Sequence, residues 1–97
     1  MIEITRHHGL TTIVVSGRFD FQCIAEFQPA LQIDDFRWVV DLSRTNYVDS
    51  AALGMLLLLR ERAGGDSARV TIRGLCGQPR EVLRIARFDR MFTIEAT

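Results

Sequence analysis

The sequence predicts an α/β fold, a mixed sheet of four to five strands with helices packed on it. Three observations carry that prediction. Residues 2–6 (IEITR) and 68–73 (ARVTIR) alternate apolar and polar side chains, as half-buried strands do. Residues 10–16 (LTTIVVS) and 38–42 (WVVDL) are short β-favouring runs of the kind that fill a sheet interior. Helical spacings fall between and after these runs, and two strands followed by alternating helix and strand make a mixed sheet.

Each element has a local reason. His8-Gly9 separates the first two runs by so little chain that an antiparallel hairpin is expected. Gly17-Arg18-Phe19-Asp20 closes the second strand, and Asp20 is placed to cap a helix over residues 21–31. That helix brings Ile24, Phe27 and Leu31 onto one face, with Pro29 kinking or shortening its last turn. Asp34-Asp35 leads into the central strand, residues 38–42. A polar loop and then a second helix follow, entered at Asp49-Ser50 with Ser50 as N-cap and stopped by Gly64-Gly65. After the strand at 68–73 comes a loop, residues 74–77, and Pro79 then suits the first turn of a third helix reaching about Arg87. Val82, Leu83, Ile85 and Ala86 are its expected inward side chains. Residues 91–95 (MFTIE) are expected to dock as a last short strand.

The totals narrow the function classes. Ninety-seven residues make one domain, expected to span 1–97, and 47% hydrophobic with 25% charged residues is ordinary globular composition. Twelve basic residues balance twelve acidic ones, so charge gives no reason to expect a nucleic acid or an anionic membrane as partner. Cys23 and Cys76 form no CxxC pattern and read as two reduced, structural thiols. No basic region followed by an apolar core opens the chain, and its longest apolar run, residues 55–59, is far below the ~20 needed to cross a bilayer. The expected location is the cytoplasm, without membrane insertion.

The central helix has an unusual wheel. At one hundred degrees per residue, Ala51, Ala52, Met55, Leu56, Leu59 and Ala63 form the sheet-facing arc. Ser50, Gly54 and Glu61 fall on the opposite side, with Leu57 and Leu58 flanking them where water is expected. An apolar strip there suits a partner. Gly54, a mid-helix glycine costing about 1 kcal/mol against alanine, either lets another surface approach or clears space for a loop of this chain.

Ser50 lacks the company a nucleophile needs. The only histidines, His7 and His8, lie in the first turn and read as solvated, and there is no GxSxG elbow, GxxxxGK[ST] loop or metal-ligand spacing. No catalytic residue, metal or cofactor is expected. Two readings of Ser50 stay open on the residues alone, a plain N-cap and a phosphoacceptor. A phosphate there adds about −1.5 to −2 charges at a helix N-terminus, which tolerates anions, while Asp49 and Asp20 oppose it.

Asp41-Leu42-Ser43 with Tyr47-Val48-Asp49-Ser50-Ala51-Ala52-Leu53-Gly54 resembles the phosphorylation-site signature of STAS domains, which include bacterial anti-sigma-factor antagonists. Gly17-Arg18-Phe19-Asp20 resembles the glycine-x-hydrophobic-aspartate after that family's second strand. Pro79, Val82, Leu83 and residues 88–92 (FDRMF) resemble its final helix and C-terminal anchor. The resemblance implies a single STAS domain in a partner-switching module. It makes Ser50 the phosphoacceptor of an anti-sigma factor that is also a serine kinase, reset by a metal-dependent, PP2C-type serine phosphatase. Asp20, Asp49, Ser50, Ala51, Gly54, Leu57 and Leu58 become the partner-binding residues. Many family members carry Ser or Thr and then Gly after the phosphoserine, where this chain has Ala51-Ala52. The wording GRFDF and SAALGMLLLLRE looks most like antagonists of proteobacterial modules tied to motility or biofilm control. The family also implies a rival, a small cytoplasmic STAS subunit of a lipid-transport ATPase with phosphate-independent binding.

Overall fold

The computed structural model describes residues 1–95. Five strands form one mixed sheet in sequential order: β1 (Ile2–His7), β2 (Leu10–Phe19), β3 (Arg37–Val48), β4 (Val70–Arg73) and β5 (Thr93–Ile94). The β1–β2 hairpin is antiparallel, and every later pairing is parallel. The α/β mixed sheet is thus present at the upper end of the expected strand number.

The helices are α1 (Ile24–Phe27), α2 (Ser50–Arg62) and α3 (Gly77–Ile85), with 3-10 turns at Phe21–Cys23, Gln28–Gln32, Gly65–Ser67 and Phe88–Arg90. The sheet residues Ile13, Val40 and Ile72 are in register across β2, β3 and β4, and all three are fully buried. With Phe19, Phe27, Leu56, Leu59 and Leu83 they form the core. The opposite sheet face is different: Thr5, Thr12, Val39, Thr71 and Thr93 line up across all five strands, and none is buried. Among the described residues, no helix is long and apolar enough to cross a membrane.

Four local expectations need correction. First, β3 does not end at Leu42 in a polar loop but runs on to Val48. β2 likewise passes Ser16 to Phe19, and two register irregularities let Gly17, Arg18 and Phe19 pair with Thr45, Tyr47 and Val48. Thr45 is buried there, and its hydroxyl donates to the Val15 carbonyl at 2.9 Å.

Second, residues 21–32 are helical, but only four of them are α. Pro29 has no N–H to donate, and the chain around it closes as 3-10 turns. A step of four from Cys23 to Phe27 and then of three from Phe27 to Ala30 puts these residues in the core and leaves Ile24 half exposed. Third, α3 stops at Ile85, which points outward at 67% exposure, so Leu83 is its one buried leucine. Fourth, both cysteines are free, yet only Cys23 is buried in the core. Its thiol donates to the Arg18 carbonyl, while Cys76 is exposed.

Two close approaches fix the sheet's carboxyl end. A Cβ on Gly74 would sit 2.6 Å from the Ser43 Cβ and 2.7 Å from the Ser43 nitrogen, so only glycine fits, and its φ of +77° favours glycine again. The Gln78 side chain bonds both backbone groups of Val48, accepting from its amide at 2.9 Å and donating to its carbonyl at 3.0 Å. The start of α3 thereby holds the last residue of β3.

Candidate partner-docking site

The site is built where β3 hands over to α2. Asp49 follows the strand with extended backbone (φ −116°, ψ −176°), which turns its side chain back over the first turn of the helix. One carboxylate oxygen accepts from the Ala52 amide at 2.9 Å. The N-cap is therefore Asp49, and the expectation of Ser50 in that role is corrected. The backbone amide of Asp49 donates to Phe19 O at 3.3 Å, so the last bond of the β2–β3 ladder presets the cap.

Ser50 is the first helical residue. It is exposed, takes no part in capping, and stands at the positive end of a helix of 13 residues. Down the helix, Ala52, Met55, Leu56 and Leu59 are buried against the sheet, as the wheel requires. Leu57 is 37% and Leu58 53% exposed, so the expected apolar strip exists on the outer face. Gly54 lies within it, and among the described residues a Cβ added there would meet nothing within 4 Å beyond its chain neighbours and the backbone of its own helix. No loop needs the space, which removes one of the two explanations of that glycine.

Asp20 and Asp49 take two consecutive amides of the neighbouring segment. Asp20 accepts from Gln22 N at 3.0 Å and Asp49 from Phe21 N at 3.2 Å. Asp20 is buried, and its second oxygen receives the Arg18 guanidinium at 3.3 Å. Arg18 in turn lies 4.0 Å over the Tyr47 ring. Of the expected site residues, Asp49, Ser50, Ala51, Gly54, Leu57 and Leu58 share the exposed or half-exposed part of α2 and its cap. Asp20 supports them from within the fold.

Sequence reasoning missed Phe21 and Ile24. Phe21 is 63% and Ile24 49% exposed, on the segment that packs alongside α2. Helical spacing grouped Ile24 with Phe27 and Leu31 on one face and gave Phe21 no role, and the Asp20–Asp49 tether of that segment to α2 is a long-range feature that spacing does not contain. His7 and His8, with rings stacked at 4.0 Å, lie in the β1–β2 turn beside the opening of β3, at the other end of the sheet from Ser50. Among the described residues no three His, Cys, Asp or Glu side chains group as metal ligands.

Known proteins resemble this chain in sequence and in fold. The chain matches the family model described as "Mlab, STAS domain" over residues 2–94. It is 43% identical over 86 residues to a STAS-domain containing protein of Pseudomonas aeruginosa strain UCBPP-PA14, covering 86% of this chain and 85% of that one. In fold it resembles an anti-sigma factor antagonist from Mycobacterium paratuberculosis (TM-score 0.86, 21% identity), covering 100% of this chain and 86% of that one. It also resembles the anti-sigma factor antagonist SpoIIAA in its unphosphorylated form (TM-score 0.77, 11% identity), covering 100% and 89%. The match across nearly every described element shows that the chain belongs to the STAS domain family.

Proposed function

We propose that this domain is an anti-sigma-factor antagonist working by partner switching. In this reading its unphosphorylated form binds an anti-sigma factor that is also a serine kinase. Phosphorylation of Ser50 ends that binding, and a metal-dependent serine phosphatase restores it. The observation that carries the reading is the position of Ser50, exposed and outside the capping network, on the one face of α2 that keeps an apolar strip open.

The physical consequence of a phosphate follows from that position. The helix dipole and the exposed setting let the fold accept about −1.5 to −2 charges at the first turn. A partner seated over Leu57, Leu58 and Gly54 has to desolvate that charge, beside an Asp49 carboxylate already committed to two amides. Folding is spared while docking is lost. Asp20, turned inward onto Gln22 and Arg18, acts in this scheme by fixing the neighbouring segment.

Intact-mass analysis of the protein purified from its own cells, with fragmentation to place any phosphate, tests the reading. A phosphorylated fraction mapping to Ser50 supports it. Absence of phosphate across several growth conditions overturns it. That absence would favour the second reading, a constitutive STAS subunit of a lipid-transport ATPase with phosphate-independent binding.

A further inference from the structure

A cavity of about 550 Å³ opens between α3 and β5, away from Ser50, within the 300–1,000 Å³ range usual for small-ligand sites. Its apolar lining is Leu75, Leu83 and Ile94, two of them buried core residues. Its polar lining includes Arg80, Arg84 and Arg87, placed at i, i+4 and i+7, so three guanidinium groups rise from one face of the helix and its end.

We propose that this cavity binds a small organic anion, one phosphate or carboxylate head on an apolar body. Three features favour that class. Arginines four residues apart repel each other, and an anion between Arg80 and Arg84 relieves the repulsion. Arg80 has no carboxylate within salt-bridge distance among the described residues. Arg84 and Arg87 hold only exposed carboxylates, Glu81 at 2.6 Å and Asp89 at 3.3 Å, which a bidentate ligand replaces at little cost.

The backbone of Arg87 points the same way. It is left-handed (φ 57°, ψ 43°), a conformation strained for any residue with a Cβ, and among the described residues the only other such non-glycine is His8 in the hairpin turn. A glycine would end α3 without strain, but only a residue with a side chain adds a third guanidinium to the cavity. Asp89 and Glu95 also line it, so the net charge is low and a single head group suffices.

Amide-resolved NMR titration of the full chain with hexyl phosphate tests the site, with inorganic phosphate and hexanol as parallel arms. The expected result is saturable binding with Kd at or below about 1 mM. The shifts should centre on Leu75, Leu83 and Ile94, and each half-ligand alone should bind at least about tenfold more weakly. In the Arg80→Glu/Arg84→Glu variant, both sites exposed, the melting temperature should fall by no more than about 8 °C, from the lost Glu81 pair and the new like charges, while the affinity should fall about tenfold or more. Three outcomes overturn the proposal: no saturation, equal binding by the double variant, or inorganic phosphate binding as tightly as hexyl phosphate. Co-sedimentation with phosphatidylglycerol vesicles without hexyl phosphate shifts would also overturn it, assigning the arginines to a membrane surface.

Discussion

The Asp49 carboxylate receives the backbone amide of Phe21 at 3.2 Å while its other oxygen caps α2 through Ala52 at 2.9 Å. One side chain thus satisfies the opening turns of two helical segments and sets the spacing between the exposed Phe21 and the α2 surface. Asp49→Ala leaves both amides without this partner and is expected to destabilise the fold by about 1–3 kcal/mol. Asp49→Asn keeps one acceptor oxygen and should recover roughly half of that loss. Urea unfolding midpoints measure both, and an alanine variant as stable as the parent would show the bridge to be idle.

Substitutions at Ser50 separate charge from shape. Ser50→Asp is expected to abolish binding of the anti-sigma factor kinase, and Ser50→Ala to bind it constitutively. Both should melt within about 1 kcal/mol of the parent, because Ser50 takes no part in the cap. Equal binding by the two variants in a pull-down or calorimetric titration sinks the switch mechanism.

Leu58→Arg, and independently Ile24→Arg, is expected to weaken partner binding at least about tenfold with stability changed by under ~1 kcal/mol. The reason is exposure: Leu58 at 53% and Ile24 at 49% leave little apolar surface to lose from the core. A collapse in melting temperature would place either residue in the core instead.

Gly54→Ala offers opposite signs for folding and binding. Among the described residues nothing outside its own helix backbone and chain neighbours lies within 4 Å of the added Cβ, so the fold should gain up to about 1 kcal/mol from helix propensity. If a partner's backbone seats against that glycine, binding falls in the same variant. Improved stability with unchanged affinity would leave Gly54 without a docking role.

Acid should weaken the fold through two carboxylates. Burial pushes the Asp41 carboxyl up, but bonds from the Ser43 hydroxyl and amide and the Arg73 guanidinium outweigh it and hold the group below its usual range. Asp35 is held low by the Thr11 hydroxyl, then by Arg6. A depressed folded value means the unfolded chain binds the proton more readily. The contribution is complete above the ordinary carboxylate value, about 3.9, and is lost as pH falls through the lower folded values. Urea midpoints should drop below about pH 4, and the drop should be shallower in Asp41→Asn. An identical acid slope in that variant counts against the assignment.

Much of this was legible in the residues. The short His8-Gly9 separation gave the hairpin, the strand and helix runs gave the mixed sheet, and the helix wheel placed Ser50, Leu57 and Leu58 outward. What was missed is long-range or periodic in origin. Residues 43–46 are polar and read as loop, yet they continue β3, with Arg44 and Thr45 paired to Ser16 and Gly17 of β2, a partnership no local window contains. Asp49 and Ser50 are both able caps, and the ladder bond from Asp49 N to Phe19 O decides between them. Around Pro29 a period of three replaces 3.6, which shifts burial from Leu31 to Ala30.

The β2–β3 pairing also governs when the site comes into being. It joins Leu10 to Arg37 at one end and Phe19 to Val48 at the other, and as a parallel pair it must close a long loop before any bond forms. Its final rungs set the backbone that turns Asp49 into a cap. A nascent or partly unfolded chain therefore carries the serine but not the helix start beneath it, and under the proposed switch a kinase reading that shape would act only on molecules that have finished folding.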